Sequence, residues 1–204
     1  MNLFASLTAK PWEVEGVIVD PSDGDGEFLP PAHLGLKVFL AVATVVFSLL
    51  IVSYAGRMEM GDWRPLQEPL LLWLNTGVLI LSSIALHWAV LHARRGDMEG
   101  LRQGLLTGGA LAAIFLVGQL AAWQQLVAQG AYVSSNPANA FFYLITGLHG
   151  VHLLGGLVAW FRTMGKLKRG VEITQLGRSV ELCAIYWHFL LAVWLILFSL
   201  MLFT

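Results

Sequence analysis

The chain has 204 residues, of which 57% are hydrophobic and only 12% are charged. This composition is typical of membrane proteins with several spans and excludes an ordinary water-soluble globular protein. The formal net charge of −1, with 12 Lys and Arg in total, does not provide the basic surface of a nucleic-acid-binding protein. A single cysteine, Cys183, excludes a disulfide framework.

Residues 1–33 are predicted to form an acidic leader that precedes the membrane domain, 34–204. Residues 1–10 lack the basic and apolar regions of a cleavable signal peptide, so the first hydrophobic span is expected to direct insertion. The stretch 20–26 has a passing likeness to a calcium-binding loop, but the spacing of its oxygen ligands is wrong for one. We therefore predict a solvated surface tether there rather than a metal site.

Five segments are long and apolar enough to cross a bilayer, which takes about 20 residues of helix. They are 34–55, 70–93, 104–127, 139–161 and 179–203. Pro65 and Pro69 stop any helix before the second span, and Asn136 with Pro137 makes a suitable N-cap and first-turn pair for the fourth. The predicted fold is an all-α bundle of five transmembrane helices.

Lysine and arginine are divided unequally between the two ends of the predicted helices. An odd number of spans puts the leader and the 94–102 and 162–178 loops on one face. Ten of the basic residues lie on that face or just inside it, namely Lys10, Lys37, Arg94, Arg95, Arg102, Arg162, Lys166, Lys168, Arg169 and Arg178. The other face has only Arg57 and Arg64. Because cytoplasmic loops are enriched in Lys and Arg, the N-terminus is predicted to be cytoplasmic.

The second span carries a stripe of polar side chains along one side of its helix. The stripe consists of Asn75, Thr76, Ser82, Ser83 and His87. Such a stripe is predicted to face protein while the leucine-rich sides face lipid. The third span offers small residues for close helix packing, namely Gly108, Gly109, Ala112 and Ala113. Interhelical hydrogen bonds are the simplest interpretation of the stripe, and a pathway for a solute is the alternative.

The fourth and fifth spans carry ionisable side chains at depth. His149 and His152 are three residues apart on nearly one face of the fourth span, and Glu181 and His188 are seven apart in the fifth. A helical rise of about 1.5 Å per residue puts His152 and His188 at similar depth, with Glu181 nearer the interface. We predict a buried network of these four residues. It either fixes the helix register or relays protons.

Haem is a further possible use of the deep imidazoles, since two helices could supply a bis-imidazole pair. The candidates are His87, His149, His152 and His188. Bulky Trp187, Phe189 and Leu191 on the fifth span leave little room for a porphyrin. Redox copper is disfavoured because the one thiol, Cys183, is more than a helical turn from His188. The sequence therefore predicts no catalytic residue and no haem, copper or other metal on this chain.

Four motifs, in order and at matching spacing, resemble subunit III of the haem-copper terminal oxidases. The likeness covers about 34–204. The motifs are Leu74-Asn75-Thr76 with Ser82-Ser83; Ala93-Arg94-Arg95-Gly96-Asp97; Phe141-Phe142 through Thr146-Gly147-Leu148-His149-Gly150-Val151-His152; and Glu181 followed by Tyr186-Trp187-His188-Phe189 and Val193-Trp194-Leu195.

The resemblance implies an accessory subunit without a redox centre, which packs on the catalytic subunit I in a complex that also contains subunit II. Haem and copper are then expected on these partner subunits. The family is also associated with durable turnover, proton uptake and bound phospholipid. Many members have seven spans, with lipid in a cleft between the first two and the last five, whereas five spans are predicted here.

Two positions depart from the family pattern. Relatives usually carry a Ser-Glu pair in this first span, where this chain has Val42 and Ala43. After His-Phe they usually have Val-Asp, where this chain has Leu190 and Leu191. Glu181 is therefore expected to be the sole carboxylate within a span.

We expect an accessory oxidase subunit in a bacterial inner membrane, of the cytochrome c oxidase type. A subunit of a quinol oxidase and the accessory protein of nitric oxide reductases are close alternatives. A free-standing proton-coupled channel or carrier and a haem b membrane anchor are alternatives of other classes. The sequence leaves the electron donor, cytochrome c or quinol, open, because subunit III touches neither redox centre.

Overall fold

The computed structural model describes residues 31–64 and 69–203, and most of these residues are helical. The five helices are α1 (Pro31–Met58), α2 (Leu70–Arg94), α3 (Met98–Ala128), α4 (Pro137–Lys168) and α5 (Ile173–Leu202). Each is long and apolar enough to cross a membrane. The prediction of an all-α protein with five spans is therefore confirmed. Most of the predicted leader, including the calcium-like stretch 20–26, lies outside the described residues.

Several helices extend beyond the apolar segments that predicted them. The prediction of a loop over 162–178 is wrong for most of its length, because α4 continues to Lys168 and α5 begins at Ile173. Hydropathy falls where charged residues begin, but backbone hydrogen bonding continues through them. At the start of α4, Asn136 accepts a hydrogen bond from the Ala138 amide and Pro137 occupies the first turn, as predicted.

Helices α2 to α5 form a four-membered ring in which each helix packs on two others. Neighbouring helices run in opposite directions, as shown by contacts such as Arg94 with Glu181 and Thr76 with Trp194. We call the end with the α2–α3 and α4–α5 connections the basic end. The backbones of α2 and α3 lie close together, since a Cβ on Gly104 would lie 2.9 Å from the Ala85 carbonyl oxygen.

Helix α1 lies outside the ring and contacts it through aromatic side chains. Phe39 contacts Tyr186 of α5, Phe47 contacts His149 of α4, and Tyr54 contacts Phe141 of α4. A smaller share of α1 is buried than of any other helix described. The core therefore lies within α2 to α5, and α1 covers one side of it.

Candidate functional site

His149 occupies the centre of the bundle and is completely buried. Its ring is enclosed by three aromatic rings from three other helices, with centroids 6.4 Å from Phe47, 6.1 Å from Phe115 and 5.1 Å from Trp194. Neither ring nitrogen has a hydrogen-bond partner among the described residues. The side-chain amide of Gln119 in α3 is also buried and unpaired there. His149 is thus held by packing against other rings.

His152 lies one turn further along α4, where α1 and α5 both reach it. Its Nδ1 is 2.9 Å from the Leu148 carbonyl oxygen of its own helix. Its ring lies 5.9 Å from that of Phe39 and 5.2 Å from that of Phe47. Tyr186 donates a hydrogen bond of 2.8 Å to the backbone carbonyl of His152, which fixes the register of α5 against α4. The residue therefore marks the point at which α1, α4 and α5 meet.

Glu181 lies near the basic end and forms an ion pair with Arg94 of α2. The Arg94 guanidinium donates to its Oε1 at 2.7 Å. Both side chains are partly exposed, by 66% for Arg94 and 39% for Glu181, so the pair is a superficial clasp between α2 and α5. Arg94 is predicted as a loop residue from the sequence, and its pairing with Glu181 was not predicted.

His188 faces α2 on the outer surface of the ring. Its Nδ1 is 3.2 Å from the Ser83 hydroxyl, and its ring centroid is 5.6 Å from that of His87. Both imidazoles are exposed on this surface. His188 therefore contacts α2, whereas His149 is enclosed by rings of α1, α3 and α5.

The four residues predicted to form one network are divided over separate places in the fold. Glu181 bonds to α2, His188 bonds to α2 on the outside, and His149 is enclosed inside. Among the hydrogen bonds found for the described residues, none joins one of these four side chains to another. The geometric cause is that α5 turns Glu181 and His188 towards α2 rather than towards α4.

The polar stripe of α2 makes hydrogen bonds to α3 and α5. Asn75 donates to the Phe115 carbonyl at 3.1 Å, and Ser82 donates to the Gly108 carbonyl at 2.8 Å. Thr76 accepts a hydrogen bond of 2.9 Å from the Trp194 indole. The stripe therefore links α2 to both of its neighbours in the ring.

Indole N–H groups act as donors between helices at four positions among the described residues. Trp187 donates to the Ser82 hydroxyl at 3.1 Å, and Trp160 donates to the Leu105 carbonyl at 2.8 Å. The others are the bond from Trp194 to Thr76 and the bond of 3.1 Å from Trp123 of α3 to the Thr146 hydroxyl of α4. These hydrogen bonds were not predicted from the sequence. Tryptophans far from a membrane interface indicate such bonds, because a buried indole usually finds an acceptor.

No group of three or more His, Cys, Asp or Glu side chains is placed to hold a metal ion in residues 31–64 and 69–203. Cys183 is buried and unbonded to any other cysteine. The chemistry of the site is that of interhelical hydrogen bonds, ring contacts and one ion pair.

These features define a multi-pass helical membrane protein whose helices are joined by buried polar side chains. The family model for cytochrome c oxidase subunit III matches residues 34–204, and the chain belongs to this family. The resemblance inferred from the four motifs is confirmed.

Curated relatives match most of the chain. It is 31% identical over 171 residues to the probable cytochrome c oxidase subunit 3 of Nocardia farcinica, covering 81% of this chain and 84% of the relative. It is 31% identical over 173 residues to cytochrome c oxidase subunit 3 of Thermostichus vulcanus, covering 82% and 85%. A probable cytochrome c oxidase subunit 3 of Mycobacterium bovis is 30% identical over 171 residues, covering 81% and 84%.

Proposed function

We propose that this chain is the accessory subunit III of a bacterial respiratory oxidase of the cytochrome c oxidase type. The observation that carries this proposal is the family match over 34–204, which includes all of α2 to α5. In the proposed complex, which also contains subunit II, the chain packs on subunit I in the inner membrane. Haem and copper belong to those partner subunits.

The contribution of the chain is to hold the complex in a form that sustains turnover and proton uptake. The enclosure of His149 by Phe47, Phe115 and Trp194 supports a structural role for this imidazole. The ion pair of Glu181 with Arg94 supports the same role for the carboxylate. A proton relay through these groups is the alternative, and Glu181→Gln separates the two. Unchanged proton uptake with the subunit retained supports the structural role, whereas slowed uptake with the subunit retained supports the relay.

Phospholipid is a proposed ligand of the crevice between α1, α4 and α5. The crevice has a volume of about 570 Å³ and an apolar lining that includes Leu36, Phe39 and Val158. Arg162 and Lys166 line the same crevice at the basic end. An acyl chain would fit along the apolar lining and its phosphate would meet these cations.

Orientation is proposed from the division of basic residues, with the basic end in the cytoplasm. Cysteines introduced at Met60 and Lys168, both exposed and at opposite ends of the bundle, should react with an impermeant maleimide from opposite sides of the membrane. Labelling of both from the periplasm would overturn this topology.

Purification from native membrane tests the proposed function. The expected result is that the chain co-migrates with haem-copper catalytic subunits that oxidise cytochrome c. Co-migration with a quinol-oxidising complex, or with a nitric oxide reductase, would identify one of the close alternatives. Isolation without any haem protein would favour a free-standing channel or carrier. An absorption spectrum of the separately expressed chain completes the test, because a haem band abolished by His149→Ala would establish a haem b anchor.

A further inference from the structure

Two polar side chains inside the bundle are buried with unsatisfied hydrogen-bonding groups. They are His149 of α4, which is completely buried, and Gln119 of α3, which is 4% exposed. Both ring nitrogens of His149 and both polar atoms of the Gln119 amide have no hydrogen-bond partner in residues 31–64 and 69–203. The indole of Trp63 is also unpaired there, but its side chain is only partly buried.

The other buried polar side chains of the described ranges all have hydrogen bonds. They are Asn75, Thr76, Ser82, Ser83, Asn139, Thr146 and Thr163. This agrees with the general rule that a buried polar group in a folded protein has a partner, which is a protein group or an ordered water. His149 and Gln119 are therefore the two exceptions to explain.

The contacts on either side of Gln119 put it at the same level as His149. Phe115, one turn before Gln119, contacts the His149 ring, with centroids 6.1 Å apart. Trp123, one turn after Gln119, donates to the hydroxyl of Thr146, which lies one turn before His149. Residues four apart share a face of a helix, so Gln119 faces α4 between these two contacts. The two unpaired side chains are thus neighbours across the α3–α4 interface.

A direct bond between the two side chains would satisfy only part of their polar groups. A neutral imidazole has one N–H donor and one acceptor nitrogen, which point in different directions. A bond from one of these nitrogens to Gln119 would leave the other unpaired among the rings that enclose His149. A donor or acceptor that is buried without a partner is costly, so a further polar group is needed between the helices.

A water molecule has the chemistry that this place requires. It has two donors and two acceptors, and buried waters typically make about three hydrogen bonds to polar groups that otherwise lack partners. Helices α3 and α4 are also the least closely packed neighbours in the ring, which favours space for a small molecule between them.

We propose that the α3–α4 interface contains a buried water-binding site, in which the Gln119 amide and the His149 imidazole share at least one ordered water. The water links the two helices. Its orientation sets which ring nitrogen of His149 carries the proton, because the tautomer follows the hydrogen bonds that the ring makes. The site belongs to the chain itself and does not depend on the proposed function.

Solid-state NMR of the full chain in lipid bilayers tests for the water. With isotopically labelled histidine, magnetisation from water protons should reach the ring nitrogens of His149, although this side chain is completely buried. The His149→Phe variant identifies the signal. Gln119→Met has nearly the same shape but cannot bond to the water, so it should abolish the transfer. Gln124→Met, at an exposed position of α3, is the matched control and should leave the transfer unchanged.

Two results of this experiment would overturn the site. The first is that no magnetisation passes from water to His149 in the unsubstituted chain. The second is that the transfer is undiminished in Gln119→Met, because the water would then not be shared with the amide.

A double-mutant cycle tests whether the two side chains are linked. Gln119→Met and His149→Phe each remove one of the bridged groups, so each should raise the unfolding constant of the purified chain in SDS about fivefold or more. The double variant should lose less stability than the sum of the two single losses. Strictly additive losses would contradict the link. Coupling without transfer from water would indicate a direct bond between the side chains and would also overturn the water site.

Discussion

The α2–α3 interface and the attachment of α1 are two different solutions to packing helices in lipid. In the first, small residues bring backbones together, so that a Cβ on Gly104 would lie 2.9 Å from both the Ala85 carbonyl oxygen and the Ala89 Cβ. In the second, Phe39, Phe47 and Tyr54 span a wider gap to α4 and α5. Lipid tails are as apolar as these rings, so burying the rings between helices gives little preference over leaving them in lipid. The close backbone contact of α2 and α3 is therefore the more specific of the two interfaces.

This difference indicates where the bundle should open first. Regions with few buried contacts unfold locally before those with many. The ring of α2 to α5 also has hydrogen bonds between side chains of different helices, such as Trp187 to Ser82. The contacts of α1 with the ring include aromatic pairs of Phe39 and Phe47, and aliphatic side chains such as Leu36 pack against the core as well. We therefore expect the ring to behave as the stable unit and α1 to detach from it more readily.

Gly104→Val should have the largest effect, because it forces α2 and α3 apart. The nearest atoms include backbone of α2, which cannot move aside as a flexible side chain can. Overpacking of this kind costs about 3 kcal/mol. Gly77→Val in α2 is the control, since nothing lies within 4 Å of its added Cβ. Unfolding of the purified chain in micelles by SDS titration measures both variants. Equal unfolding midpoints for Gly104→Val and Gly77→Val would show that close packing at Gly104 does not determine the stability of the α2–α3 interface.

Phe47→Ala should have the next largest effect, and it should be confined to α1. Phe47 is 3% exposed and contacts His149 and His152. Buried Phe to Ala changes cost about 3–5 kcal/mol in soluble cores, and lipid that enters the gap should reduce this to about 1–3 kcal/mol. Hydrogen exchange should rise in α1 and remain unchanged in α2 to α5. Val45→Ala, on the exposed side of α1, is the control. A uniform rise through all helices would contradict the division into ring and outer helix.

The sequence was sufficient to predict the five helices, because a long apolar segment in a bilayer must satisfy its backbone hydrogen bonds internally, and a helix does so within one segment. It also indicated that the stripe from Asn75 to His87 contacts other helices. The partners were not predictable, because periodicity gives the face of a helix and not the identity of the helix opposite. Glu181 was therefore assigned to the histidines of α4, whereas the packing order puts it beside Arg94 of α2.

Trp194→Phe should have a moderate effect on the ring. It removes the N–H that donates to Thr76 but keeps an aromatic ring beside Phe115 and His149. Interhelical hydrogen bonds in membranes contribute about 0.6–1.7 kcal/mol. Thr76→Val removes the acceptor, so the two variants and their double variant form a cycle measured by SDS titration. Strictly additive losses would show that this bond does not stabilise the pairing of α2 and α5.

The smallest effect is expected at Asp97, which caps α3 in the turn from α2. Its Oδ1 accepts from the Glu99 and Gly100 amides, each at 3.1 Å, and its Oδ2 is 2.9 Å from Nδ1 of His92. The Gly100 amide, followed by the His92 ring, holds the pKa of this carboxyl below its ordinary value.

Because the folded pKa of Asp97 is lowered, its contribution to stability is complete above the unfolded pKa of about 4 and is lost as the pH falls through the folded value. Asp97→Asn keeps a capping oxygen but cannot titrate. The unfolding midpoint of the unsubstituted chain should therefore exceed that of Asp97→Asn by about 1–3 °C near pH 6, and the difference should be smaller near pH 3. Thermal unfolding at both pH values measures it. A difference that stays constant between the two would show that the ionised carboxylate does not stabilise this turn, and the cap would then depend on its neutral hydrogen-bonding oxygen.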